Sequence, residues 1–231
     1  MIMLKSISLH RPSNTDYAAL CIADNSYEAL TQLALDFLHP DEYAYFASLA
    51  HHNRKHTYLL GRYCAKQALT IEPFALVPKQ YAIMSGIFGQ PIISAHTHAQ
   101  VSIAHTSILG AALAFPEAQP MGIDIELIDN KNRDVIEKEM THDELALIAK
   151  YITDKAYAAT LLWTAKEALA KIMRTGLMTP FQLFEISSCT LEGEYVYTQF
   201  KHFHQYQACS FPIEQHMCSI VYPRETKLRF D

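Results

Sequence analysis

Two short segments carry side chains whose types and spacing can do chemistry. In Gly122-Ile123-Asp124-Ile125-Glu126 acidic and apolar residues alternate, so an extended strand points Asp124 and Glu126 to one face and Ile123 and Ile125 to the other. That is a pair of oxygen donors backed by core. In Trp163-Thr164-Ala165-Lys166-Glu167, continued to Lys171, residues 163, 167 and 171 recur at four-residue spacing and so share one face of a helix. The helix offers an acid and a base together. Brought to one place, Asp124, Glu126 and Glu167 supply three carboxylates for a hard cation such as Mg2+, which takes about six oxygen ligands and commonly bridges carboxylates to substrate phosphates.

Each piece also has an ordinary reading. An alternating Asp and Glu pair is the pattern of a solvated sheet face, and Glu167 with Lys171 is the pattern of an intrahelical ion pair. Glu144, three residues after Thr141, reads either as an acid serving the same chemistry or as one half of a capping box. Lys166 points about a hundred degrees away from Glu167, towards packing or towards a partner. The joint occurrence of the two segments, in this order, favours a site.

The elements that must position these residues can be read coarsely. A helix is expected over Ser26–Leu38, stopped by His39 and Pro40, and another over Asp41–Thr70, broken near His51–Asn53. Short apolar strands follow at Tyr81–Met84, Ile92–Ser94, Gln100–His105 and Leu109–Phe115. Pro116–Pro120 is the expected boundary between lobes at residues 1–117 and 118–231. The second half repeats the order: strand Met121–Leu127, helices Asn132–Glu139, Thr141–Tyr151 and Ala156–Arg174, then strands Phe184–Ser188, Tyr195–Phe200, Gln205–Phe211 and His216–Val221. Each half therefore reads as helices packed on a mainly antiparallel sheet, an α+β fold of two similar lobes.

Composition excludes several classes. With 231 residues, 50% apolar and 19% charged, the chain can bury a full core and is not disordered. A net charge of −5 argues against nucleic acid, which needs a basic face. The apolar run Ile108–Phe115 is far too short to span a bilayer, and Met1–His10 lacks a signal peptide's apolar core. A cytoplasmic location is expected. The five cysteines are scattered without a C-x-x-C pair, so neither a disulfide framework nor a zinc site is indicated. His96 with His98 and His202 with His204 lack a third ligand.

The two segments together resemble the signature of the 4'-phosphopantetheinyl transferases in their longer, pseudo-dimeric (Sfp-like) form, which carries a GIDIE-like strand and then a W(S/T)xKEAxxK helix. Further stretches match in order: Leu59-Leu60-Gly61-Arg62 a helix ending in GR, Gly89-Gln90-Pro91 a GKP turn, Ser102-Ile103-Ala104-His105 an NISH strand, and Gly176, Leu177 and Phe184 a later G-L…F continuation. The resemblance runs over roughly residues 37–185. It implies two lobes related by a pseudo-twofold axis with the active site at their interface, and hence a monomer. It also implies a Mg2+-dependent transfer of the 4'-phosphopantetheine arm of coenzyme A to a serine of an apo acyl, polyketide or peptidyl carrier protein, releasing adenosine 3',5'-bisphosphate. Such carriers serve fatty-acid, polyketide and nonribosomal-peptide synthesis. The metal ligands would be Asp124, Glu126 and Glu167; Glu167 or Glu144 would take the serine proton; Lys171 would neutralise the departing bisphosphate. Arg54, Arg62, His105 and Lys171 would hold the coenzyme's phosphates.

The departures are specific. Gln90 stands where a Lys or Arg is usual, and Ala104 replaces the serine before the histidine, leaving one phosphate cation and one hydroxyl donor absent; Thr106 or Ser102 are the candidate replacements. Met173, Leu177 and Met178 could form an apolar patch for the carrier. Three readings follow: an active transferase, a non-catalytic homologue that binds a carrier protein or synthase, and an enzyme that hydrolyses another pyrophosphate-containing metabolite.

Overall fold

The computed structural model describes residues 2–95 and 97–231, with Ile2, Asn132 and Leu177 described by backbone alone. It is α+β, built from antiparallel sheets and helices in two compact units, Met1–Pro120 with Thr226–Asp231 and Met121–Glu225.

The first unit opens with a hairpin, β1 (Ile2–His10) and β2 (Thr15–Ala23), paired from Ile2↔Ala23 to His10↔Thr15. Three helices follow: α1 (Tyr27–Phe37), α2 (Pro40–Ser48) and α3 (His52–Leu69). Ser26 caps α1, and Pro40 opens α2 at a position that needs no N–H. β3 (Ile83–Ser85) and β4 (Pro91–Ile93) form a separate two-stranded ribbon. β5 (Ala99–His105) and β6 (Gly110–Pro116) complete, with β12 (Lys227–Phe230), a sheet of order β12-β1-β2-β6-β5. The core lies between this sheet and α3, where Leu59, Leu60, Cys64 and Ala68 meet Cys21, Ala112 and Ala114. Strand β12 (Lys227–Phe230), expected in the second lobe, instead pairs with β1, Ile7 opposite Phe230.

The second unit runs β7 (Gly122–Leu127), α4 (Asn130–Lys138), α5 (His142–Ile148), α6 (Lys155–Met173), then β8 (Ile186–Glu192), β9 (Tyr195–Phe200), β10 (Tyr206–Ile213) and β11 (His216–Pro223). Its sheet has the order β7-β11-β10-β9-β8. Helix α6 starts at Asp154, whose carboxylate accepts from the N–H of Ala156 at 2.9 Å and of Tyr157 at 3.1 Å. It ends where Arg174 turns left-handed, at φ 57°. Its buried face, Leu161, Leu162, Ala165, Ala168 and Leu169, is rich in alanine and so seats close to β7 and β11.

Each unit is pinned by the same buried device. In the second, Thr141 and Glu144 form a capping box at the start of α5, the other carboxylate oxygen of Glu144 accepts from the N–H of Ile186 at 2.8 Å, and Lys166 reaches it from α6 at 2.8 Å. In the first, His39 and Glu42 form the box at α2, Glu42 accepts from the N–H of Ile83 at 2.9 Å, and Lys66 reaches it from α3 at 2.8 Å. Both lysines have no exposed side-chain surface. A carboxylate that ties a helix start, a long helix and a strand together recurs in each half, which is strong evidence of an internal repeat that sequence identity does not reveal.

Candidate active site

Strand β7 lies against α6, and the closest approach is at Gly122: a Cβ there would stand 2.1 Å from the carbonyl oxygen of Ala168. Only glycine allows the strand so near the helix backbone. Two residues on, Asp124 is 6% exposed, and Lys171 reaches it from the last turn of α6, its Nζ donating to Asp124 Oδ1 at 2.8 Å and to the carbonyl of Ile123 at 2.7 Å. Lys171 thus pairs with Asp124, not with Glu167, the intrahelical partner expected. The lysine bridges helix and strand.

Glu126 and Glu167 join this pair electrostatically. Burial raises the Glu126 carboxyl, the neighbouring charges of Asp124 and Glu167 raise it further, and it is pushed up to about 7 against the counter-pull of Lys171. Burial likewise raises Glu167, Asp124 adds to it, and it too reaches about 7. Three carboxyls thus crowd one lysine, and one oxygen, Asp124 Oδ2, is buried without a hydrogen-bond partner. Among the described residues no three acidic, histidine or cysteine side chains stand at ready metal-ligating geometry. The donor set nevertheless fits a divalent cation: an orphaned buried oxygen and two carboxyls whose proton affinity is raised by burial and by neighbouring acids are the groups that a bound cation would satisfy.

Beneath the site lies a chain of hydroxyls, with Thr164 2.7 Å from Ser219 and Ser219 2.7 Å from Ser210. Ser219 is the register partner of Asp124, so this row lines the same sheet face as the carboxylate. No sequence signal marks it, because lone serines on strands are unremarkable.

Residues 120–221 match the model of the 4'-phosphopantetheinyl transferase superfamily. The matched stretch is almost the whole second unit, the one that carries Asp124, Glu126, Glu167 and Lys171. A solved holo-(acyl-carrier-protein) synthase from Bacillus anthracis str. Ames, in complex with CoA (3',5'-ADP), is similar at 15% identity and a TM-score of 0.37, over 47% of this chain and 96% of that chain. No curated protein matches.

The remaining expected residues are placed as follows. Glu144 is 0% exposed with both oxygens engaged, so its geometry is that of the cap and not of a base facing an incoming hydroxyl. Lys166 is buried against it and cannot face a partner. Arg62, His105 and Arg54 lie in the first unit. Arg62 lines a cavity of about 260 Å3 together with Tyr45, Tyr58, Ile83, Met84 and Ser85; its guanidinium sits 4.8 Å from the Tyr58 ring centre and its Nε 3.4 Å from Glu42 Oε1. His105 ends β5 next to Gly61, the residue before Arg62. Arg54 is exposed two turns upstream on α3.

The departures have structural consequences. Gln90 Oε1 accepts from the N–H of Phe88 at 3.0 Å, so its side chain closes its own turn. Thr106 Oγ1 is engaged by the N–H groups of Ile108 and Leu109, and Ser102 is buried. His96 lies outside the described residues, and its expected companion His98 is fully exposed. Of the expected apolar patch, Met178 is 94% exposed while Met173 packs on the second unit's core.

Proposed function

We propose that this protein is a 4'-phosphopantetheinyl transferase of the two-lobed, Sfp-like kind, moving the phosphopantetheine arm of coenzyme A to a serine of an apo carrier protein. The observation that carries this reading is the cluster of Asp124, Glu126, Glu167 and Lys171, with its orphaned Asp124 Oδ2, inside the segment that matches the family.

Asp124, Glu126 and Glu167 would hold Mg2+, which when bound draws charge from the phosphate under attack and from its leaving group. The protein's own groups do the rest. Glu167 takes the proton of the carrier serine as the serine oxygen forms the new bond to phosphorus. The pyrophosphate bond breaks and adenosine 3',5'-bisphosphate departs. Lys171, paired with Asp124 at 2.8 Å, supplies positive charge where the leaving phosphate develops negative charge. In the first unit, Arg62 in its aromatic-lined cavity recognises the nucleotide's 3'-phosphate, with His105 nearby.

The test is direct. The purified protein is incubated with MgCl2, coenzyme A and a panel of apo acyl, polyketide and peptidyl carriers, and each carrier is weighed by mass spectrometry. A gain of one phosphopantetheine arm on at least one carrier is expected. No gain on any carrier, with coenzyme A still bound, would favour the non-catalytic reading.

A further inference from the structure

The buried lysines of the two units have different neighbours on their helices. Four residues before the buried lysine, the second unit carries Leu162, fully buried, whereas the first carries Arg62. The carboxylate that is purely structural in the second unit therefore has an extra neighbour in the first. Glu42 keeps every bond its counterpart makes: it accepts from the N–H groups of His39 and Ile83 and pairs with Lys66. In addition its Oε1 lies 3.4 Å from Arg62 Nε, and the hydroxyl of Tyr58, on whose ring the guanidinium rests, donates to the Glu42 carbonyl.

Lys66 makes this anchor rigid. Its ammonium donates to the carbonyls of Pro78 and Tyr81 as well as to Glu42, and it lies over the Tyr81 ring. Glu42 is itself only 3% exposed. A guanidinium paired with a fixed carboxylate at 3.4 Å, though with no hydrogen bond at Nε, and resting on a ring 4.8 Å away has its orientation restricted, because the planar group cannot turn far without weakening both contacts. Arg62 lines the cavity beside Asp41 and Glu42.

We infer that Glu42 is a positioning residue for ligand recognition: it has been recruited from a structural cap to orient Arg62 towards a phosphate in the first unit's cavity. The inference rests on the proposed function, which supplies coenzyme A as the ligand and its 3'-phosphate as the group read by Arg62. Glu144 is the built-in control, since it performs the same structural duties with no arginine to orient.

The test compares dissociation constants for coenzyme A and dephospho-coenzyme A, which lacks the 3'-phosphate, by calorimetry. Replacing both members of a buried ion pair keeps the unit foldable where removing one does not, so the variants are E42Q/K66M and E144Q/K166M. Wild type is expected to prefer coenzyme A. E42Q/K66M is expected to lose about ten-fold of that preference, the scale of one close, partly desolvated charge pair, whereas E144Q/K166M keeps it. R62K tests the same point without touching the anchor: it retains a charge but no fork, and should lose as much preference as R62L. A wild-type preference that survives in E42Q/K66M and in R62K overturns the inference. A wild type that binds neither ligand instead removes the proposed function on which it rests.

Discussion

Gly122→Ala puts the packing of the site to its sharpest test. The new Cβ would stand 2.1 Å from the Ala168 carbonyl oxygen and 3.1 Å from both the Ala168 carbonyl carbon and Ile172 Cγ1, while ordinary contact begins near 3.4 Å. The obstacle is helix backbone, which cannot rotate aside, so β7 and α6 must part by about 1.3 Å (2.1 to 3.4 Å). Intrinsic preference works the other way, since alanine suits a strand better than glycine; the clash alone sets the sign. Overpacking of this kind costs about 1–3 kcal/mol, which lowers Tm by several degrees in a chain of this size. The functional effect is larger. The bonds from Lys171 to Asp124 and to Ile123, at 2.8 and 2.7 Å, span the same seam, and a misplacement of about 1 Å can cost about 100-fold in rate. Melting curves and carrier-modification rates would be recorded beside Gly193→Ala, where φ is +63° and nothing lies within 4 Å. That control should lose about 1–2 kcal/mol and keep its activity. If Gly122→Ala matched wild type in both assays, the strand and helix would not meet as described and the site geometry built on them would fall.

Other consequences follow from the same cluster. Glu126 and Glu167 hold their protons to about pH 7 in the folded state, above the 4.5 of a free carboxyl. Their contribution to stability is therefore complete below pH 4.5 and is lost as pH rises through 7; the metal-free protein should melt progressively lower between pH 5 and 8, and E126Q/E167Q should flatten that slope. Because a cation binds the ionised forms, Mn2+ should raise Tm more at pH 8 than at pH 6; an equal rise at both would contradict the assignment. Glu167→Gln should reduce carrier modification by about 100-fold or more while stabilising the metal-free protein at pH 8, a combination that simple misfolding cannot produce. Lys166→Met leaves Glu144 buried and unpaired and should cost about 3–5 kcal/mol in a denaturant titration; a neutral effect would refute the structural reading of that pair.

What the sequence disclosed was local. The alternation in Gly122–Glu126 and the four-residue recurrence of Trp163, Glu167 and Lys171 each report a short element, and both fold as read. The break between α2 and α3 was legible from His51 and Asn53. The partner of Lys171 was not, because the spacing that puts Glu167 within reach on the helix says nothing of Asp124, 47 residues away, which wins the ammonium. Strand β12 escaped for a related reason: its four residues alternate charged and apolar too briefly to mark a strand, and its partner lies at the opposite end of the chain. Lys166 read as packing or partner-facing because helical spacing fixes direction but not depth; it is completely buried and paired with Glu144. The resemblance between Glu42 and Glu144 was hidden because His39 and Thr141 cap their helices with different chemistry, although both boxes place an acid three residues on.

Asp124, Glu126 and Glu167 are proposed to share one divalent cation. Mn2+ binding followed by electron paramagnetic resonance at pH 8 measures this without reference to any reaction. One bound Mn2+ per chain is expected, displaced by excess Mg2+ and weakened in each of D124N, E126Q and E167Q, with all three variants folded. Binding that persists unchanged in the three variants, or that is lost only when acids elsewhere in the chain are replaced, would contradict it.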